Sequence, residues 1–443
     1  MNPQEKIDQL KQITEDILVR ARRHGASNAA VHCMAEEALG ISVRMGKQET
    51  LESSFEQAMG VDVYFGKKSG SVAISAFDAK SIENAVSKAC EIARFTEEDP
   101  YAGLADAELM AQHPVDLDLY HPWEISPQAA VEMLLECENT ARALDSRIVN
   151  SEGVGLGLYK TFRVYGNSHG FLEGFPATQY TMDCCLIAEV NGAMERDYSR
   201  TVSRESIHLK KPSVLAEKTV ERTVARLGAR PIKTQKIPVI FDERLSRGLM
   251  RIFLNAIAGS NLYRKNSFLL DAVNTLIFPE SIDIYEDPLL PKRLGSFAFD
   301  EDGVATYRKS FVEQGVLKSY ALDTYSARQL GLKTTANAGG ISNLFVKTDT
   351  VPFSNLLARM DRGIYVTELF GEGVHLVTGD FSQGAFGYWV SNGEIQYPVS
   401  GITISGNLRD LCKSIVAVGN DVETESSIEV GSILFDQLTV AGS

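Results

Sequence analysis

The feature that most restricts the fold is an approximate internal repeat in the N-terminal half. The first copy, "ISVRMGKQETLESSFEQAMGVDVYFGKKSGSVAISAFDAKSIENAVSKACEIA" (41–93), alternates apolar and polar residues in "ISVRM", "VDVYF" and "SVAIS". It turns at "GKKSG" (66–70) and takes helical spacing from Ser81. The second copy opens at "KTFRVYGNSHGFLEGF" (160–175), passes through "YTMDCCLIAEV" (180–190) and ends in the helical "PSVLAEKTVERTVARLG" (212–228). Each copy runs strands and then a helix. Two such units stack as one sheet with helices on a single face, because each sheet face and helix stripe must bury its apolar side.

Two further helices accompany the repeat. One covers 4–23, with Ile7, Leu10, Ile13, Ile17 and Leu18 at helical spacing and Gly25 as its stop. The other covers 125–144, with Ser126 as N-cap and Pro127 in the first helical position. "GARPIKTQKIPVIFD" (228–242) breaks the pattern with two prolines and starts a new strand. Beyond it the glycines of 371–407 and turn signals such as "SNGE" (391–394) mark a mostly β domain, barrel-like, with helices over 317–331 and 354–361. The fold class is therefore α+β: an N-terminal α+β domain over 1–230 and a C-terminal β-rich domain over 231–443.

Charge and apolar content exclude several functions. A net charge of −14 opposes unaided binding to nucleic acid or an anionic membrane. No apolar run reaches the length of a membrane span, and the charged N-terminus has no signal-peptide core. The six cysteines (Cys33, Cys90, Cys137, Cys184, Cys185 and Cys412) form no C-x-x-C pair, so reduced thiols in a cytoplasmic protein are expected.

Four stretches invite a chemical reading. "GNSHG" (166–170) has the G-x-S-x-G pattern of a hydrolase elbow around Ser168, yet no helix follows it, which favours a hairpin turn. "GVGLG" (153–157) lacks the following helix N-terminus that would receive a pyrophosphate. "HPVDLDLYHP" (113–122) holds His113 and His121 with two aspartates, and a Pro-flanked linker is the simpler reading than a metal site. No two of the seven histidines lie three or four apart, so no helix presents a two-histidine metal face. In "TGDFSQGAFGYW" (378–389) glycines would serve tight turns, or leave backbone exposed for an added peptide strand.

"YRKNSFLLD" (263–271), "SYALDTYSARQLGLKTTANAGG" (319–340), "VTELFGEGVHLVTGDFSQGAFGYWVSNGEIQYPVSGITISGNL" (366–408) and "VGNDVETESSIEVGSILFDQLTVAG" (418–442) resemble the TldD/PmbA family, and its PmbA (TldE) branch in particular. The resemblance implies an N-terminal α+β domain, a β-rich C-terminal domain and a place in a cytoplasmic metalloprotease acting on peptides and unfolded small proteins. In that family the TldD branch carries zinc on an H-E-x-x-x-H helix with a downstream cysteine, and pairs with PmbA around a chamber.

Anchored on "YRK", the metal helix falls within the apolar "GLMRIFLNAIAG" (248–259). Its ligand and base positions are Arg251, Ile252 and Ala256, give or take a residue, and the third ligand position is Val430. Arginine is a permanent cation, and the aliphatic side chains offer zinc no lone pair and water no general base. The implied role is a non-catalytic subunit without a metal or cofactor of its own, the zinc residing in a TldD-type partner. Arg264, Lys265, Asp380 and Ser382, in the family-like loops, are the expected peptide-contacting residues. Alternatives are a stand-alone metallopeptidase with unusual ligands, a serine hydrolase using Ser168, and a non-protease scaffolding homodimer. A homodimer of the isolated chain is compatible with the first reading too.

Overall fold

The computed structural model describes residues 2–442. The N-terminal half is two copies of one helix–three strands–helix unit. The first comprises α1 (Pro3–Arg23), β1 (Asn28–Arg44), β2 (Lys47–Phe65), β3 (Lys68–Ile74) and α2 (Ala79–Phe95). The second comprises α3 (Pro127–Leu144), β4 (Ile148–Asn167), β5 (Leu172–Val190), β6 (Ala193–Ser203) and α4 (Pro212–Ala225). The six strands make one antiparallel sheet in the order β3-β2-β1-β4-β5-β6, which is symmetric about the central β1–β4 pair. Each repeat thus starts a helix and much of a strand earlier than the sequence pattern indicated.

Local chemistry sets the helix ends. Asn2 caps α1 by accepting from Gln4 N at 3.0 Å, with Glu5 returning a bond to the Asn2 backbone. Asp78 caps α2, and Ser126 caps α3 through Ala129 N at 3.2 Å. All four helices cover one sheet face. α1 and α2 pack on Val31, Cys33, Ala35, Val61, Val63 and Val164, whereas α3 and α4 pack on Val43, Leu156, Met182, Cys184 and Leu186. Each such fully buried aliphatic side chain stabilises the fold by about 1.5–3 kcal/mol relative to exposure. The intervening residues, among them Met34, Glu36, Tyr159, Thr161, Arg163 and Phe175, face the other way, away from these four helices.

The C-terminal half contains β7 (Gln235–Phe241), α5 (Glu243–Ile257), α6 (Gly259–Tyr263), β8 (Asp283–Glu286), β9 (Lys309–Glu313), β10 (Val316–Leu317), α7 (Thr324–Gln329), β11 (Leu344–Lys347) and β12 (Thr350–Val351). These are followed by α8 (Phe353–Met360), β13 (Gly363–Phe370), β14 (Asp380–Ser391), β15 (Glu394–Asn407), α9 (Leu408–Lys413), β16 (Ile415–Gly419), β17 (Ile428–Glu429) and β18 (Ile433–Ala441). Strands β7, β13, β14, β15 and β18 close into a barrel, since β18 pairs with both β15 and β7. β16 and β12 extend the sheet beyond β18, and β10-β9-β8-β11-β17 forms a second sheet.

Two expectations change here. The helix foreseen over 317–331 shrinks to α7, capped by Asp323 through Ser326 N at 2.6 Å. The residues before it stay extended because Ala321 exchanges backbone bonds with the end of α5: Ala321 N to Ile257 O at 3.0 Å and Gly259 N to Ala321 O at 2.8 Å. The stretch 378–389 is neither a string of turns nor an open edge. Most of it is β14, paired with β15 along its length and with β13 from Gly384, while Ser382 N bonds Gly373 O at 2.8 Å. Its glycines serve strand packing: a Cβ on Gly387 would lie 2.3 Å from the Tyr365 carbonyl oxygen.

The two halves are joined at both ends of the sheet. Ala30, Tyr165 and Phe171 pack with Met110, Phe299 and Val304, with Phe171 and Phe299 edge-to-face at 5.1 Å. At the other end Arg226, at the C-terminus of α4, bridges Asp197 of β6 and Glu368 of β13. Between these joints the uncovered sheet face and the C-terminal domain enclose a groove.

Candidate functional site

The C-terminal domain carries α5, and the recess beside this helix adjoins the groove at Ile341. This helix begins five residues before the apolar stretch that announced it, because Asp242 is its cap: Oδ1 accepts from Leu245 N at 2.8 Å. Ser246, Leu249, Met250, Phe253, Ala256 and Ile257 turn into the core, leaving Arg251 and Asn255 outward, one turn apart. Gly259 does not close α5; it opens α6. A Cβ there would sit 2.0 Å from Ser326 Oγ, so only glycine lets α6 lie against α7.

Beside the outward face of α5 lies a recess of about 340 Å³ lined by Arg251, Leu254, Asn255, Asn337, Ser342 and Ser427, among others. Its loop wall is held from beneath. Glu286, almost fully buried and paired with Lys309, accepts from Asn337 Nδ2 at 3.0 and 3.2 Å and from Ser342 N at 3.2 Å. Ser342 Oγ is buried without a hydrogen-bond partner among the described residues. Chemically the recess offers a guanidinium, carboxamides and hydroxyls. Such a set suits carbonyl and carboxylate oxygens of a ligand. It does not suit zinc, which takes thiolate, imidazole or carboxylate donors. Among the described residues no group of three or more His, Cys, Asp or Glu is placed to hold a metal ion.

The sequence-derived positions divide clearly. Arg251 reaches the recess and is exposed. Ile252 is half-buried against the C-terminal core, and Ala256 and Val430 lie wholly inside it. Arg264 and Lys265 sit at the exposed end of α6, where Arg264 Nε donates to Tyr263 Oη at 3.0 Å and Lys265 takes φ 57°. Asp380 and Ser382 lie at the exposed start of β14. Hydrogen bonds from Asn407 and Thr378 hold the Asp380 carboxyl below its ordinary pKa. None of these four lines the recess beside α5. Asn255, Asn337, Ser342 and the groove-facing Arg163 were missed. Asn337 lies within the quoted "TTANAGG", and Arg163 is an isolated cation in the alternation of "TFRVY".

The other motifs resolve as a turn, a strand and a linker. Ser168 is a turn residue: its Oγ accepts from Ala29 N at 2.7 Å and no histidine nitrogen bonds it among the described residues. "GVGLG" lies inside β4. His121 Nε2 donates to Asp118 O at 2.8 Å and its Nδ1 stands 3.6 Å from Glu205, within a cluster that Lys292 completes. All six cysteines are buried and unpaired. No helix among the described residues is long and apolar enough to cross a membrane.

Comparison with known proteins gives concordant matches. Three family descriptions cover consecutive stretches: PmbA/TldA metallopeptidase domain 1 at 35–93, the central domain at 120–227 and the C-terminal domain at 234–442. The first two fall on the two repeat copies of the single N-terminal sheet. The chain is 44% identical over 404 residues to metalloprotease PmbA of Escherichia coli O157:H7, covering 91% of this chain and 90% of that one. It is 40% identical over 436 residues to a metalloprotease PmbA homolog of Haemophilus influenzae, covering 98% and 96%. A solved protein of Bacteroides thetaiotaomicron, described as a candidate modulator of DNA gyrase, superposes with TM-score 0.93 at 28% identity, covering 98% and 99%.

Proposed function

The chain belongs to the PmbA/TldD family of metallopeptidases, and from that premise we propose that it is the non-catalytic subunit of a cytoplasmic peptide-degrading complex. In this reading a TldD-type partner supplies the zinc and the hydrolytic chemistry. This chain completes the chamber and positions extended peptide in the groove between its sheet and the C-terminal domain.

One observation carries the proposal. On the helix where the resemblance puts the metal-bearing branch's zinc ligands, α5 turns Arg251 and Asn255 to the recess, while Ile252, Ala256 and Val430 pack against or within the core. A guanidinium repels a divalent cation, and neither amide nor hydroxyl activates water as a general base at neutral pH. The recess retains hydrogen-bond donors suited to a peptide backbone.

The test is metal analysis of the purified chain, alone and after co-expression with a TldD-type protein. The expected result is substoichiometric zinc in this chain alone and about one zinc per heterodimer. One zinc per isolated chain, together with partner-independent peptide hydrolysis, would overturn the proposal in favour of a stand-alone peptidase. Failure to associate with any TldD-type protein would instead favour a scaffolding homodimer.

A further inference from the structure

A second recess, of about 490 Å³, lies on the uncovered sheet face and adjoins the α5 recess at Ile341. Its floor is built from β1, β4 and β5, whose register sets Glu36 beside Thr161 and Arg163 beside Phe175. Its roof is the loop from Leu294 to Phe297. Arg204, just past β6, enters from the side and is 8% exposed. Its Nε donates to Arg293 O at 3.0 Å, Nη1 to Thr178 O at 3.1 Å and Nη2 to Leu294 O at 2.8 Å.

All three of those partners are neutral carbonyls. A guanidinium carries five N–H groups, so two remain, and Arg204 borders the recess. No carboxylate among the described residues pairs with it; burial and the nearby charge of Arg163 push it down to about 10. Glu36, the acid on the same floor, has Oε2 taken by Thr161 Oγ1 at 3.0 Å. A buried cation without an anion is costly in a medium of low dielectric. An anion entering between Arg204 and Arg163 would relieve that cost.

A third recess, of about 480 Å³, shares Arg163, Phe175 and Phe297 with the second and is walled by Met34, Tyr165 and Phe299. A charged pocket and a largely apolar one, which Asp300 and Glu301 also line, therefore meet at Arg163. We propose that this pair of recesses binds a peptide through a carboxylate held between Arg163 and Arg204, with an apolar side chain of the same residue among Met34, Phe175, Phe297 and Phe299. Only a C-terminal residue presents both groups together; an acidic side chain presents the carboxylate alone. The proposal rests on the peptide-handling role argued above, but binding by this chain is measurable without proteolysis.

The experiment is fluorescence anisotropy with the full-length chain and three labelled ten-residue peptides. The first ends in leucine with a free carboxylate. The second is the same peptide amidated, and the third is amidated with one internal glutamate. The free acid is expected to bind at least about tenfold more tightly than the amide, as a charge-assisted bidentate contact requires. Arg163→Gln is expected to abolish that preference and Arg163→Lys to keep part of it, both with unchanged melting temperature because Arg163 is exposed. Preferential binding of the glutamate peptide assigns the carboxylate to a side chain and overturns the C-terminal assignment. Equal binding of acid and amide, a preference that survives Arg163→Gln, or no binding of any peptide overturns the proposal. A chain that still activates a TldD-type partner while showing no carboxylate preference loses this inference and keeps the subunit role; the reverse result does the opposite.

Discussion

The groove exists only while the two halves hold their relative position, and Arg226 is the side chain through which that can be tested. It lies at the end of α4, with Nε 3.3 Å from Glu195, Nη1 3.4 Å from Asp197 and Nη2 2.7 Å from Glu368 of the C-terminal barrel. Its guanidinium also stacks 3.9 Å from the centre of the Phe386 ring. Consider Arg226→Met, which keeps the length and removes the charge. Glu195 and Glu368 are 27% and 42% exposed and regain water, so their loss is worth about 0–1 kcal/mol each. Asp197 is 7% exposed and keeps one cation, Arg244 at 3.5 Å, so its partial orphaning costs about 1–2 kcal/mol. The lost stacking on a buried ring adds about 1 kcal/mol.

The sum is about 2–5 kcal/mol, of which the Glu368 pair and the Phe386 stacking, about 1–2 kcal/mol together, act across the interface between the halves. The protein provides its own reporters. Trp123 packs edge-on to Tyr180 in the N-terminal half, and Trp389 lies on β14 in the barrel. Single-tryptophan variants followed by fluorescence in urea read each half separately. In the parent both transitions should coincide; in Arg226→Met both should move to lower urea and separate. A shift under 0.5 kcal/mol, or one confined to a single tryptophan, would refute the claim that this cation couples the halves.

Three further outcomes follow from single sites. Burial pushes the Cys33 thiol up to about 11 and the Cys412 thiol up to about 12, so iodoacetamide at pH 8 should label none of the six cysteines in the native protein within minutes and all six after unfolding, by intact mass. Ser168→Ala should cost about 0.5–1.5 kcal/mol by removing the bond to Ala29 N, and a fluorophosphonate probe should leave native Ser168 unlabelled. Burial, aided by the Asp302 charge, raises Asp300 from 3.8 to about 7. An acid raised on folding binds its proton more tightly in the native state, so its stabilising contribution is complete below about pH 4 and is lost as pH rises through 7. The stability difference between wild type and Asp300→Asn should therefore narrow over that window, and a flat difference in pH-resolved melting curves would show the residue is ionised throughout.

The repeat was legible because alternation of period two and helix spacing are local properties, and Val61, Val63, Met182 and Cys184 follow them strictly. So were the caps at Ser126 and the Ser168 turn, which depend on neighbours within three residues. The barrel topology was legible only as a class, since the β18–β7 closure joins residues some 200 positions apart. The helix expected over 317–331 failed for a similar reason: its extended first half is dictated by backbone bonds to Ile257 and Gly259. At the site, Arg251 could be placed from the family pattern. The facing of Asn255, Asn337 and Ser342, and the meeting of Arg163 with Arg204, arise where three distant segments converge. No window of the sequence contains that information.

The most direct test of the account is a peptidase assay on unfolded peptide with this chain alone, a TldD-type protein alone, and the two mixed at equal concentration. The account predicts no hydrolysis by this chain at any zinc concentration and zinc-dependent hydrolysis by the mixture, well above the partner alone. Hydrolysis by this chain alone, abolished by a chelator and restored by zinc, would contradict it.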